Sequence, residues 1–214
     1  MKDGKNIVIV NNNQNELAFL GKITASTTHE IKNVLAIIQE SSGLLEDILA
    51  MSESKDYPHK DRFIDTLNRI QAQIQRGIDI TSNLNHFAHS PDNERSDIDF
   101  NDLIKNLSML AARFARLKKV MLITELSDVP LIIETNSVQL QMNIFGAIEI
   151  ILNHIQDGTI KLIPDKQDTQ MILQLYYDLL TEEQFNCITT CKQWQELESR
   201  LLDLGIRILL HTKR

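Results

Sequence analysis

Cysteine, proline and long apolar runs are all scarce in this chain, and each scarcity removes a class of protein. The two cysteines, Cys187 and Cys191, supply neither a disulfide framework nor the four ligands of a structural zinc site. They stand four residues apart, on one helix or its approach, and read as reduced thiols. Four prolines in 214 residues, with 43% apolar residues, describe a globular chain that can bury a core and has room for one or two domains. Apolar stretches such as Ile144-Phe145 or Ile150 to Leu152 fall far short of the roughly 20 residues that cross a bilayer. A short β-like stretch, Ile7 to Val10, precedes the polar run Asn11 to Asn15, and no small-residue cleavage site follows it. A cytoplasmic protein without a membrane partner is the expectation. Basic excess is missing too. A net charge of −7 argues against a nucleic-acid partner, because phosphate binding usually leaves a basic face.

What is present begins with two amphipathic helices. From Leu20 the positions Leu20, Ile31, Val34, Leu35, Ile38, Leu45 and Ile48 are apolar, and Thr24, Thr27 and Ser41 fill the remaining slots of a three-four spacing. That is a helix with a coiled-coil-like seam. A polar break, Ser52 to Pro58, separates it from a second stripe of Phe63, Leu67, Ile70, Ile74, Ile78, Thr81, Leu84 and Ala88, which Ser90-Pro91 stops. Two such helices on a short loop make an antiparallel hairpin, and a second copy would complete a four-helix bundle. Small and polar seam residues, including Gly77, soften the packing.

His29 lies two residues from both Thr27 and Ile31, about 160° round the helix from the seam at 100° per residue. It therefore faces solvent in mid-helix. A free imidazole, with a reference pKa of about 6.5, is mostly neutral at pH 7 and offers a nitrogen lone pair to an incoming phosphoryl group. Glu30 can orient or deprotonate the ring. Asn33, one turn on, can hydrogen-bond a phosphoryl oxygen or an attacking water, and Lys32 can steady phosphoryl charge. By spacing alone, an ordinary surface histidine beside routine helical charges is the simpler reading. His86 and His89, at i and i+3, lack a third ligand for a metal.

The run His29-Glu30-Ile31-Lys32-Asn33-Val34-Leu35, within Leu20 to Ile37, resembles the H box of the dimerisation and histidine-phosphotransfer domain of bacterial histidine kinases, whose core is His-Glu-Ile-Arg/Lys-Asn-Pro-Leu. Five of the seven positions match outright and Lys32 is the allowed variant. Val34 replaces the family's proline and removes the kink expected there. Leu84-Asn85-His86-Phe87-Ala88-His89 is similar to the Leu-x-x-Phe-Ala-Arg ending of the family's second helix. Phe100 to Leu117, Lys119 to Leu126 and Leu131 to Ile151, with Val138-Gln139-Leu140-Gln141, resemble the first helix, first strands and second helix of the family's ATP-binding lobe. The resemblance covers residues 19 to about 155.

Beyond that the pattern fails. The resemblance places the two asparagines that hold magnesium and phosphates in active kinases on Gly146 and Ile150, and an isoleucine cannot ligate a hard cation. Asn143 and Asn153 are one turn out of step and read as polar surface residues. Only Gly158 and Gly205 occur in the last 60 residues, too few for the glycine-rich boxes and lid of a nucleotide site. Strands at Thr159 to Ile163 and Met171 to Tyr177, a helix near Trp194 to Leu204 and a strand Ile206 to Leu210 are expected.

The expected fold is α+β: a lead (1–16), a dimerising helical hairpin (17–92) and a degenerate ATPase-like α/β sandwich (97–214). The resemblance implies a homodimeric histidine phosphotransferase of a two-component phosphorelay, with His29 the phospho-acceptor and Glu30 and Asn33 its helpers. The partners are then response-regulator receiver domains docking over Lys32, Ala36 and Glu40. No cofactor of its own is expected: the receiver supplies magnesium, and ATP binding is not expected. A receiver phosphatase using Asn33, a scaffold in which His29 is dispensable, and an ATP-dependent kinase are the alternatives.

Overall fold

A computed structural model describes residues 3–50, 60–88 and 95–211, with side chains from 15–49, 61–85, 87 and 95–211. Its compact units are Leu20–His86 and, separately, Met1–Phe19 together with Phe87–Arg214.

The first unit is helical. Helix α1 spans Asp3–Ala50 and α2 spans Lys60–Ala88. Thr27, Val34, Ser41 and Ile48, seven apart, are buried, with Ile31, Ile38 and Leu45 half-buried between them, which is the expected seam. The helices run antiparallel, since Val34 meets Gly77 and Glu40 reaches Arg69. On α2 the inward row is Phe63, Thr66, Ile70, Gln73, Gly77, Ile80 and Leu84. Four residues of the expected stripe, Leu67, Ile74, Ile78 and Thr81, are instead exposed. The two rows are one position apart, and the neighbouring helix takes only one of them. Thr24 and Leu35 are likewise exposed rather than in the seam.

The N-terminal stretch Ile7 to Val10 is helical, not β-like, and α1 begins well before Leu20. No proline interrupts the chain before Pro58, and nothing in the sequence stops helix propagation backwards from the hairpin. Further along α1, Glu16 accepts from Gln139 Nε2 at 3.2 Å within the second unit.

In the second unit, β1 (Ser96–Asp99) and β3 (Ile132–Thr135) form an antiparallel pair. A four-stranded sheet has the order β2 (Met121–Thr124), β4 (Thr159–Gln167), β5 (Gln170–Tyr177), β6 (Ile206–His211). Its outer pairs are parallel and its central pair antiparallel. Helices α3 (Phe100–Leu117), α4 (Ser137–His154) and α6 (Lys192–Asp203) supply the rest of the core, in which Ile104, Leu107, Ile144, Ile148, Leu162, Leu173 and Trp194 are fully buried. Caps set the helix starts. The carboxylate of Asp99 accepts from Asn101 N at 2.9 Å, and Asn136 accepts from Gln139 N at 2.9 Å.

The region between Tyr177 and Trp194 carries an additional helix, α5 (Glu182–Thr190), opened by a Thr181/Gln184 capping box. Cys187 lies on α5 and Cys191 between α5 and α6, both as free thiols. Asp157 and Gly158 (φ 63° and 90°) turn the chain into β4, and Tyr177 Oη donates to Asp157 O at 3.0 Å to hold that turn. Four phenylalanines link the roots of both long helices to α3 and α4. Phe19 meets Phe87 edge-on at 5.4 Å and Phe145 at 5.4 Å, and Phe145 meets Phe114 at 5.1 Å.

Candidate functional site

His29 sits in the interior of α1, with Ser26 and Thr27 buried on one side of the helix and the imidazole exposed on the other. An uninterrupted backbone ladder runs through it, because Val34 continues the helix where a proline would break it. Lys32, Asn33, Ala36 and Glu40 are exposed, while Glu30 is half-buried. Spacings of three, four and seven from His29, and of four from Ala36 to Glu40, keep Lys32, Asn33, Ala36 and Glu40 on adjoining strips of one helix face.

Asn33 does something the sequence did not reveal. Its amide Nδ2 lies 3.2 Å from His29 Nδ1, so the side chain one turn on holds the ring itself. With Nδ2 donating, the neutral ring carries its proton on Nε2. With the amide turned by 180°, Asn33 Oδ1 accepts from Nδ1–H and Nε2 keeps its lone pair. In both arrangements Nδ1 is committed to Asn33. Nε2 is left as the outward nitrogen, so the i,i+4 amide selects which end of the imidazole meets an incoming group. The i+4 spacing was the sequence signal for this contact, but a helix surface carries many such pairs and few of them bond.

Glu40 approaches Arg69 of α2 at 3.8 Å, an exposed pair worth about 0–1 kcal/mol. This ties one expected docking position to the second helix. Large apolar residues remain uncovered on the hairpin: Leu35 (58% exposed), Leu44 and Leu49 on α1, and Ile64, Leu67, Ile74 and Ile78 (54%) on α2. Those on α2 follow three-, seven- and four-residue steps, one continuous stripe beside the inward row.

In the second unit, the positions that the resemblance assigns to phosphate-holding asparagines have other roles. Gly146 packs against α6, where a Cβ would lie 3.1 Å from Leu197 Cδ1. Ile150 is half-buried, and its carbonyl oxygen lies 2.8 Å from His154 Nδ1. Asn143, expected at the surface, is buried and donates to Gln139 O at 2.7 Å, so its amide is spent inside its own helix. Asn153 is exposed. Among the described residues, no group of three or more His, Cys, Asp or Glu could hold a metal ion, and His89 and the side chain of His86 lie outside them. No helix of the described residues is long and apolar enough to cross a membrane.

No family model and no curated protein matches the chain. Among solved structures it is similar to the histidine kinase AdeS of Acinetobacter baumannii, with 13% identity over 81% of this chain and 86% of that one and a TM-score of 0.40. It is also similar to the histidine kinase ThkA in a complex with the response regulator protein TrrA, with 19% identity over 78% of this chain and a TM-score of 0.34. The chain spans 48% of the length of ThkA in that structure.

Proposed function

We propose that this protein is a homodimeric histidine phosphotransferase of a two-component phosphorelay, and that His29 Nε2 receives a phosphoryl group from the aspartyl phosphate of a response-regulator receiver domain. The observation that carries the reading is the His29–Asn33 contact on an exposed helix face, within a run similar to the H box. The lone pair of Nε2 attacks phosphorus in line while the P–O bond to the aspartate breaks, and the electron pair leaves on the carboxylate. Asn33 Oδ1, accepting from Nδ1–H, steadies the ring as positive charge develops on it. The receiver contributes magnesium and most of the charge stabilisation, so little acid-base chemistry is required of this chain. Reversal onto a second receiver passes the group on.

Docking runs over Lys32, Ala36 and Glu40, with Lys32 near the transferred group. The uncovered stripe of Ile64, Leu67, Ile74 and Ile78, with Leu35, Leu44 and Leu49, is assigned to the second copy of a four-helix bundle. Phosphate comes from a protein rather than ATP. This is supported by Gly146 and Ile150, which offer no side-chain oxygen where the resemblance would need one.

The test is label transfer. The purified protein is incubated with radiolabelled ATP and, separately, with a labelled receiver, each compared with His29→Ala. Acid-labile, base-stable label from the receiver alone, absent in the variant, is expected. Label from ATP alone would overturn the reading of the lobe. No label from either, with faster loss of receiver phosphate that depends on Asn33, would make the protein a phosphatase.

A further inference from the structure

The two thiols of the chain lie one helical turn apart. Cys187 is exposed on α5, and Cys191, half-buried, closes α5 and opens α6. A φ of −69° keeps the Cβ of Cys191 on the course of α5, and its ψ of 142° turns the chain only afterwards. The two Cβ atoms therefore share one face, about 5–6 Å apart. The threonine hydroxyls between them turn back on the helix: Thr189 Oγ1 donates to Phe185 O at 2.8 Å and Thr190 Oγ1 to Asn186 O at 2.7 Å. Cys191 Sγ accepts from Trp194 N–H, in the first turn of α6, at 3.4 Å.

Distance and ligand number narrow what two such sulfurs can do. A disulfide needs Cβ atoms about 3.5–4.5 Å apart, closer than one turn brings them, so joining the pair would require the backbone to move. Two metal–thiolate bonds of about 2.3 Å each, laid in line, put the sulfurs about 4.6 Å apart, which rotation about χ1 reaches with the helix unmoved. Glu183 lies one turn before Cys187 but does not join them: among the described residues, no three His, Cys, Asp or Glu side chains are grouped to hold a metal. Two thiolates are too few for the tetrahedral site of zinc and too soft for calcium or magnesium, which take oxygen. A soft monovalent cation is satisfied by two collinear sulfurs, and thiolate softness selects copper(I).

We infer that Cys187 and Cys191 form a two-coordinate site for copper(I). Each thiol gives its proton to solvent as its sulfur binds, so one cation and two thiols yield a complex of charge −1 and two protons, with no electron transferred. Trp194 N–H is the outer-shell donor that steadies the Cys191 sulfur. This site lies in the second unit and does not depend on phosphate transfer at His29.

The test is competition for copper(I). The full-length protein, reduced and under argon, is titrated into the coloured copper(I) complex of bicinchoninate. Loss of colour equivalent to one copper per chain is expected, with an affinity at least about a hundredfold lower for Cys187→Ser and for Cys191→Ser. Serine is a preferred N-cap, so Cys191→Ser removes the ligand while α6 stays capped, which circular dichroism checks. Equimolar zinc should leave the copper in place. No loss of colour, serine variants that compete as well as the parent, one copper per two chains, or displacement by zinc would each overturn the inference.

Discussion

Val34 and Gly77 meet across the hairpin so closely that a Cβ on Gly77 would lie 3.3 Å from Val34 Cγ1. The resemblance puts a proline at position 34. Here a β-branched residue keeps α1 helical and uses its branch to fill the space opposite a glycine. Gly77→Leu is expected to destabilise the protein by about 1–3 kcal/mol through overpacking. Val34→Ala in the same chain should return part of that loss, and urea unfolding of both single variants and the double variant reads the coupling.

Removing the amide that holds the imidazole should change the ring before it changes the fold. Asn33→Ala is expected to leave thermal unfolding within about 0.5 kcal/mol of the parent, since the site is exposed. Nitrogen NMR of the ring should then show a shift in the balance of His29 tautomers, and transfer from a phosphorylated receiver should slow by about tenfold or more. Unchanged tautomers would mean that Asn33 does not hold the ring in solution.

The exposed stripe on α2 predicts a dimer that charge can break. Ile74→Glu with Ile78→Glu should halve the mass measured by light scattering while leaving helical circular dichroism nearly intact, because neither side chain belongs to the inward row. A parent protein that is monomeric at tens of micromolar would remove the four-helix bundle from the proposal.

Gly146 permits α4 and α6 to approach. Gly146→Val would drive a side chain into Leu197 and should cost about 1–3 kcal/mol. The only tryptophan, Trp194, is fully buried on α6, so a red shift of its emission reports the displacement directly.

Burial, reinforced by the charges of Asp178 and Asp157, raises the Tyr177 phenol above its ordinary value of 10.0. A folded-state pKa above the unfolded one gives stability that is complete below about pH 10 and is lost as pH rises through the higher value. Tyr177→Phe should therefore cost about 1 kcal/mol at neutral pH, where the hydroxyl bonds to Asp157 O are lost, and should flatten the alkaline fall in stability. An alkaline melting profile of both proteins makes the comparison.

The sequence by itself determined the hairpin and the outward histidine. The three-four spacing from Thr27 to Ile48 is a local, repeating signal, and once it names the buried side of α1 the angular position of His29 follows. From Phe100 to Ile151 the order of elements was implied by the family resemblance, and beyond it α5 was not foreseen. What only the tertiary structure decided depends on neighbours distant in sequence. Phe63 and Ile70 turn inward while Leu67 and Ile74 stay out, although both rows are apolar, because α1 can cover only one row. The β-branched run Ile7 to Val10 becomes helix, since continuity with α1 outweighs a weak local preference. Asn33 holds His29, and Phe19 reaches Phe145 more than a hundred residues away, because side-chain rotamers and packing choose among contacts that spacing merely permits.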